Sequence, residues 1–183
     1  MSNIKICKIC NTACGFSKYG TYTRWIIYSL GEKIRTKIQR YLCKSNPVKG
    51  KSKTFSLLPE EAIPYHQYSL QVIMIILDSF FKATAKTNEG KLNKLYNQFP
   101  ENSHINNIEL SHIRHFEKTI TKALNRFNAL TAAKIDTLKQ FINYCREYEF
   151  NGRTTEFAVT EFFYVKFKRF LFGEASQHRC YNS

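Results

Sequence analysis

The sequence predicts an α+β protein, in which a β-rich N-terminal module, residues 1–58, precedes an all-α helical domain, residues 66–183. Side chains alternate with period two in the first part, and apolar positions recur at helical spacing after residue 69. Basic residues are also concentrated before residue 58. Pro59 and Pro64 separate the two patterns, so we expect the boundary between residues 59 and 66.

A hairpin and one further strand are predicted in the N-terminal module. Residues Tyr22–Ser29 are β-branched and aromatic, and residues Ile34–Tyr41 alternate between apolar and polar side chains. Leu30–Lys33 lies between them as a hairpin turn, and Thr54–Leu57 predicts a short third strand.

Five helices are predicted after the boundary. The first, Leu70–Lys82, has Ser69 as its N-cap, and its first two turns are apolar on all sides, so we expect it to be buried. The other four helices are expected at Glu89–Phe99, Asn107–Asn128, Thr131–Tyr148 and Thr155–Phe172. Asn151–Gly152 is the expected stop signal after Tyr148. Apolar stripes predict the core-facing residues of the third and fourth helices: Ile113, Phe116, Ile120, Leu124, Phe127, and Ile135, Leu138, Ile142, Cys145.

Charge is distributed unevenly along the chain. Residues 1–58 contain 12 of the 28 Lys and Arg residues but one of the 14 acidic residues, and the whole chain has a formal net charge of +14. This concentration predicts a module that neutralises phosphates, joined to an ordinary globular body. The alternative is a solvated basic face without a partner. The candidate DNA-binding residues of the module are Arg24, Lys33, Arg35, Lys37, Arg40, Lys44, Lys49, Lys51 and Lys53.

The use of cysteine predicts a reducing, cytoplasmic environment. The chain has six cysteines, and the N-terminus lacks the apolar segment of a secretory signal. The longest apolar run, Val72–Leu77, is too short to span a bilayer, so no membrane association is expected. In a reducing compartment, clustered cysteines at CxxC spacing indicate metal or redox chemistry rather than disulfides.

Two cysteine half-sites predict zinc. Cys7 and Cys10 form a CxxC knuckle, and Cys43 begins a second knuckle in which Asn46 replaces the last cysteine. Together with the intervening hairpin, this spacing is typical of a zinc ribbon. The fourth ligand is expected to be Cys14, and the alternatives are His66 or water. The competing interpretation is a ribbon without metal, packed around three aromatic side chains: Trp25, Tyr41 and Phe55.

The first three helices have the order of a helix-turn-helix variant, in which the third helix would read DNA. Short polar and basic side chains lie near its N-terminus, as base-edge and phosphate contacts require. They are Ser111, Arg114, His115 and Lys118. The alternative is that Arg114 and Lys118 belong to a solvated helix face.

Enzyme chemistry has little support in the sequence. The two aspartates, Asp78 and Asp136, both fall within predicted helices, whereas a two-metal nuclease needs several converging carboxylates. The chain also has no glycine-rich phosphate loop and no recognisable nucleophile motif. We therefore expect a protein that is not an enzyme.

One resemblance covers residues 5–80 well. The motifs Gly31–Lys44, Lys53–Pro59 and Pro64–Ser69 resemble those of bacterial insertion-sequence proteins, which are transposase-associated and carry a zinc ribbon followed by a helix-turn-helix. In that family the ribbon reads CxxC…RRYxCxxC and is followed by TFSLLP and PYxxYS. Residues 170–179 are similar only loosely, and Asn46 departs from the pattern.

The resemblance implies a non-catalytic protein that binds double-stranded DNA in the service of transposition, with Cys7, Cys10 and Cys43 as ligands of Zn²⁺. Two alternatives remain open at this point. The ribbon could instead be an interaction module that binds a protein such as a polymerase or a transposase subunit. The chain could also be a diverged, inactive remnant of a transposase.

Overall fold

A computed structural model of the chain shows a mixed α and β protein, in which a three-stranded antiparallel sheet precedes a set of helices, as expected. The expectation that the helical part is all-α is wrong, because residues 149–154 form a two-stranded antiparallel sheet. The structure describes residues 16–43, 54–59, 62–63, 66–101, 103–150, 152–154, 156–167 and 171–172. The elements in chain order are β1 (Phe16–Ser29), β2 (Glu32–Cys43), β3 (Thr54–Leu57), α1 (Leu70–Lys82), α2 (Asn88–Tyr96), α3 (Leu110–Thr131), α4 (Leu138–Glu147), β4 (Glu149–Phe150), β5 (Arg153–Thr154) and α5 (Glu156–Phe167).

The first sheet is a long hairpin, β1–β2, to which β3 adds antiparallel on the β2 side. The predicted hairpin and third strand are confirmed, but β1 begins at Phe16, six residues before the predicted start. Packing of aromatic side chains explains the extension. The ring of Phe16 lies 5.5 Å from that of Tyr41 and 5.6 Å from that of Phe55, measured between centroids. These contacts stabilise the end of the hairpin that is far from the turn.

The sheet and the first helix are joined through the backbone of Ile27. Its N–H donates to the carbonyl of Gln67 over 2.7 Å, and its carbonyl accepts from the N–H of Ser69 over 2.9 Å. The Ser69 hydroxyl also accepts from the N–H of Val72 and donates to the carbonyl of Tyr28. Ser69 is thus the N-cap of α1, as predicted, and at the same time a contact to β1.

Helix α1 lies at the centre of the helical part. Its buried side chains point in every direction, and the helix contacts α2, α3, α4 and α5 as well as β1. Asp78 on this helix is buried, and its carboxylate accepts from Lys82 over 2.8 Å and from Arg146 over 2.9 Å. The second of these ion pairs fastens α4 to α1.

The apolar stripe of α3 is confirmed as a core-facing side. All five predicted side chains are at most 6% exposed. Phe127 joins three helices, because its ring centroid lies 5.6 Å from that of Phe141 on α4 and 6.1 Å from that of Phe163 on α5. Ile27 belongs to the same core cluster. The proposed boundary between a β module and a helical domain stays a prediction.

The predicted start of the fourth helix at Thr131 is wrong. Thr131 ends α3, and Ala132 follows it in the left-handed conformation with φ of 55°. Helix α4 begins only at Leu138, where Thr137 and Gln140 form a capping box. Ile142 and Cys145 are buried as expected, but Leu138 is only half-buried.

Gly152 belongs to a second small hairpin. Phe150 pairs with Arg153 across it, and Gly152 has a φ of 74°, which suits glycine. The last helix, α5, ends at Phe167 rather than Phe172. Within the residues described above, no helix combines the length and apolar character that crossing a bilayer requires.

Candidate nucleic-acid interface

One face of the β1–β2 hairpin carries a row of three exposed cations. Lys33, Arg35 and Lys37 alternate along β2, so their side chains project from the same side of the sheet. None of them forms an ion pair in the described part of the chain. Glu32 is the one acidic residue in either strand. We name this row, together with its β1 neighbours Thr23 and Trp25, the basic face.

Trp25 stands in the middle of the basic face. It is the Cα partner of Arg35, and 49% of its surface is exposed. The ammonium nitrogen of Lys33 lies 5.3 Å from the centroid of its ring. The guanidinium of Arg35 reaches the other way and donates to the hydroxyl of Thr23 over 3.5 Å. The interpretation of Trp25 as a packing residue of the ribbon is therefore wrong, whereas Tyr41 and Phe55 do stack on each other.

Two other predicted cations turn toward the protein. Arg24 is half-buried, and its guanidinium donates to the carbonyls of Ile63 and His66. Arg40 is also half-buried, and its guanidinium donates to the hydroxyl of Thr54 over 3.1 Å and lies over the ring of Tyr19. Their primary contribution is to hold the sheet together and to the chain that enters α1. Four more predicted cations lie outside the described residues: Lys44, Lys49, Lys51 and Lys53.

The predicted reading side of α3 is exposed, but its four residues have different surroundings. Arg114 and Lys118 are exposed, and neither forms an ion pair in the parts of the chain that the structure describes. The hydroxyl of Ser111 donates to the carboxylate of Glu109 over 3.2 Å. The ring of His115 packs against His66 with 4.4 Å between centroids. Arg114 and Lys118 are therefore the two side chains best placed to contact a ligand.

His66 connects the sheet to α3. It is 5% exposed, and its Nε2 lies 2.9 Å from the hydroxyl oxygen of Thr119. That hydroxyl already donates its hydrogen to the carbonyl of His115, so Nε2 of His66 must be the donor in the first bond. Burial lowers the pKa of His66 from 6.5 to about 4, with smaller contributions from His115 and Arg24. His66 is consequently neutral in the folded protein near pH 7.

This neutral His66 predicts a loss of stability in mild acid. The unfolded chain binds a proton at His66 below about pH 6.5, whereas the folded chain binds it only near pH 4. Stability is therefore lost as the pH falls through this window, by about 2 kcal/mol at about pH 5. Denaturant unfolding at about pH 7 and about pH 5 measures this difference in the free energy of unfolding. His66→Gln, which retains a donor for Thr119, should remove most of it, and an equal loss in both proteins would contradict the assignment.

The predicted zinc ligands are only partly within the described residues. Cys7, Cys10 and Cys14 lie outside them. Cys43 is buried at the end of β2, and its Cα partner is Phe16. Among the described residues no group of three or more metal-ligating side chains occurs. His66 lies near Ile27, which is about 36 Å along β1 from the Phe16–Cys43 pair, so it is too far from that cysteine to share a metal with it.

The exposure of Trp25 is not predicted above, although the alternation of β2 carries a signal for it. Once Arg35 and Lys37 are assigned to the solvent side, the β1 residues paired with them are on the same side. Those residues are Trp25 and Thr23. The register across the hairpin was needed to make this assignment, and the residues do not specify it by themselves.

Comparison with known protein families finds a similarity over the N-terminal part of the chain. Residues 7–95, just under half of the chain, match a family described as a domain of unknown function (DUF6431). The matched range includes the whole three-stranded sheet, α1 and most of α2. No curated protein and no solved structure matches the chain. The chain is thus similar to that family over the part that contains the basic face.

Proposed function

We propose that this chain is a non-catalytic DNA-binding protein associated with a transposable element. The observation that carries the proposal is the basic face, where three cations stand exposed on one side of a hairpin without acidic partners. Such a face neutralises phosphates and releases their counterions. The link to transposition rests on the resemblance of residues 5–80 to insertion-sequence proteins.

A non-catalytic role agrees with the surroundings of the aspartates. Asp78 is buried and paired with Lys82 and Arg146, so its carboxylate serves the packing of α1 and α4. Asp136 is exposed in the loop before α4. We also propose a cytoplasmic location, because the cysteine spacing suits a reducing compartment.

We further propose that Zn²⁺ closes the far end of the hairpin. Cys7, Cys10 and Cys43 would be ligands, with Cys14 as the favoured fourth. The donor chemistry fits, because four thiolates are a common tetrahedral set for structural zinc. Cys43 is opposite Phe16, and Cys14 precedes Phe16 by two residues in the sequence. When bound, the metal supplies a cross-link between the two strand ends.

Helix α3 is proposed to be the element that reads sequence. Arg114 and Lys118 are exposed within its first three turns and next to the His66–His115 contact, which brings this part of α3 close to β1. The connection from α2 to α3 spans residues 97–109 and contains a short 3₁₀ helix at His104–Asn107. This connection is longer than the tight turn of common helix-turn-helix motifs, so the proposal is a variant of that motif.

The experiment that tests DNA binding is a titration against salt. With 12 basic residues in the module, about half can reach phosphates at once, so log K against log salt should have a slope of roughly −5. A flat dependence, or no binding at low salt, would contradict the proposal. The flat result would favour the alternative in which the module binds a protein such as a transposase subunit.

Arg114→Ala tests the role of α3 separately. If Arg114 reads a base edge, the variant should lose about 1–3 kcal/mol at one preferred base pair, with a much smaller effect on nonspecific binding. If Arg114 is only a surface charge, alanine should change stability by a few tenths of a kcal/mol and recognition not at all. Selection from a random DNA pool with both proteins distinguishes the two accounts. Equal enrichment of one motif would show that α3 does not read the sequence.

A further inference from the structure

We propose that Trp25 is a stacking platform for an unpaired base of single-stranded DNA. This inference rests on the proposed function and makes it more specific, because it adds single-stranded DNA with unpaired bases to the ligands of the basic face. It starts from a side chain that the fold leaves in an unusual position, since tryptophan is highly buried on average in proteins.

The position of Trp25 gives its ring an approachable surface. The residue is 49% exposed, and its same-side neighbours along β1 are the exposed Thr23 on one side and the buried Ile27 on the other. On the facing strand its partner is Arg35, whose guanidinium lies toward Thr23 instead of covering the indole. Lys33 touches the ring by a cation–π contact. The ring therefore keeps a free area for a flat aromatic group.

The charges around the ring specify what that group is. Lys33, Arg35 and Lys37 follow one another at intervals of two residues, about 6.6 Å apart along the strand. A ligand that stacks on Trp25 must therefore carry regularly spaced negative charge beside a planar apolar surface. Single-stranded nucleic acid has both, and proteins that bind it combine aromatic platforms with a cationic track along the backbone.

Duplex DNA fits this arrangement less well. In a duplex the faces of the bases are covered by their neighbours, and only the edges and the backbone are accessible. Stacking on Trp25 would require a base to leave the duplex, at a cost of a few kcal/mol. Duplex DNA can use the three cations without using the ring, so the two forms of DNA should depend differently on Trp25.

The intrinsic fluorescence of Trp25 can report directly whether a base stacks on its ring. Trp25 is the only tryptophan in the sequence, so intrinsic indole emission comes from the basic face alone. A thymidine oligonucleotide of about 12 nucleotides should quench this emission on binding at low salt. A duplex of the same length should bind with much less quenching, because its bases stay stacked.

Variants of Trp25 test how much stacking contributes to the binding free energy, and the fluorescence anisotropy of labelled DNA measures their affinities. Trp25→Ala should weaken binding of the single strand by about 5-fold to 150-fold, which corresponds to stacking of about 1–3 kcal/mol for one base. Binding of the duplex should change by less than about twofold. Trp25→Phe should recover part of the loss because phenylalanine also presents a ring.

Ile34→Ala is the matched control. Ile34 is 41% exposed and next to Arg35 in sequence, but alternation puts it on the opposite side of the sheet. Ile34→Ala should bind both single-stranded and duplex DNA with unchanged affinity. Circular dichroism establishes that all variants keep the fold, which is expected because the replaced side chains are exposed.

The outcomes separate the two proposals. If the single strand binds without quenching Trp25, or if Trp25→Ala weakens duplex and single strand equally, stacking is wrong and DNA binding stands. If neither form of DNA binds at low salt, the proposed function itself is wrong. In that case the exposed ring and its cations are better explained as a docking site for an acidic protein surface.

Discussion

Replacing Lys33, Arg35 and Lys37 with glutamate should weaken the binding of duplex DNA by about 500-fold or more at about 0.1 M salt. Each lost phosphate contact removes about 0.9 from the slope of log K against log salt, which is about eightfold in affinity at that concentration. The slope should therefore fall from roughly −5 to roughly −2. Because these contacts position the protein without reading bases, all duplex sequences should be affected about equally. Anisotropy titrations over a range of salt measure both quantities.

A control with the same change in net charge separates local from global electrostatics. Lys86, Lys134 and Lys139 are exposed but lie on the helical part, away from the β1–β2 hairpin in the sequence. Replacing all three with glutamate should change the slope of log K against log salt by much less than the value of about 0.9 per residue that lost phosphate contacts would give. If the two triple variants lose affinity equally, the net charge of +14 attracts DNA and the basic face has no special part.

Removal of zinc should unfold the far end of the hairpin. We expect one zinc per purified chain, and its loss through Cys10→Ser or chelation should destabilise the module by an amount on the order of ten kcal/mol, as in zinc-finger peptides. Hydrogen exchange should show loss of protection at Arg40–Cys43 and at Phe55, which flank the predicted site. Helix α1 should remain protected because most of its contacts are to the other helices, and its contact to β1 lies at Ile27, at the opposite end of the hairpin from Cys43. Metal analysis and hydrogen exchange measure the two effects.

Cys145→Ser is the matched control for the zinc prediction. Cys145 is fully buried on α4, so serine there should lower the free energy of unfolding of the helical part. It should leave the zinc content unchanged. Purified protein without stoichiometric zinc but with a protected Cys43 end would show that the metal is not part of the fold.

Local signals in the sequence are sufficient to predict the bounds or the buried side of an element where one kind of interaction dominates. Helix α1 has the predicted bounds because Ser69 caps its start and apolar residues fill both sides of its first turns. The stripe of α3 is equally clear, since a 3.6-residue repeat over 22 residues leaves one side for the core. Hairpin β1–β2 is predictable from alternation alone, although its length is not.

The errors come from features that depend on tertiary structure or on weak turn signals. The predicted helix start at Thr131 is wrong because Ala132 adopts a left-handed conformation that ends α3, and the cap belongs to Thr137. The Asn–Gly pair at residues 151–152 predicts the end of a helix. It is also a common two-residue hairpin signal, and two short strands flank it.

The sequence predicts which cations belong to the candidate interface only in part, because it does not predict which of them bond to the protein itself. Alternation indicates that Lys33, Arg35 and Lys37 share a side, and the structure has all three exposed. It does not indicate that Arg24 and Arg40 bond inward, because their partners at Ile63, His66 and Thr54 are distant in the sequence. Exposure of Trp25 likewise depends on the pairing register. Whether zinc and DNA bind stays a prediction.

The β1–β2 hairpin is hydrogen-bonded to the helical part near its turn, so a small rotation there would displace its other end by a larger distance. The backbone hydrogen bonds that the described residues make between the β1–β2 hairpin and the chain beyond residue 66 involve Ile27 in β1 and Leu30 in the turn. Phe16 is 11 residues from Ile27, a length of about 36 Å in a strand. A rotation of about 10° around Ile27 would thus carry the Phe16 end by about 6 Å. The basic face begins within two residues of Ile27, so such a rotation would displace it little and would displace the Cys43 end most.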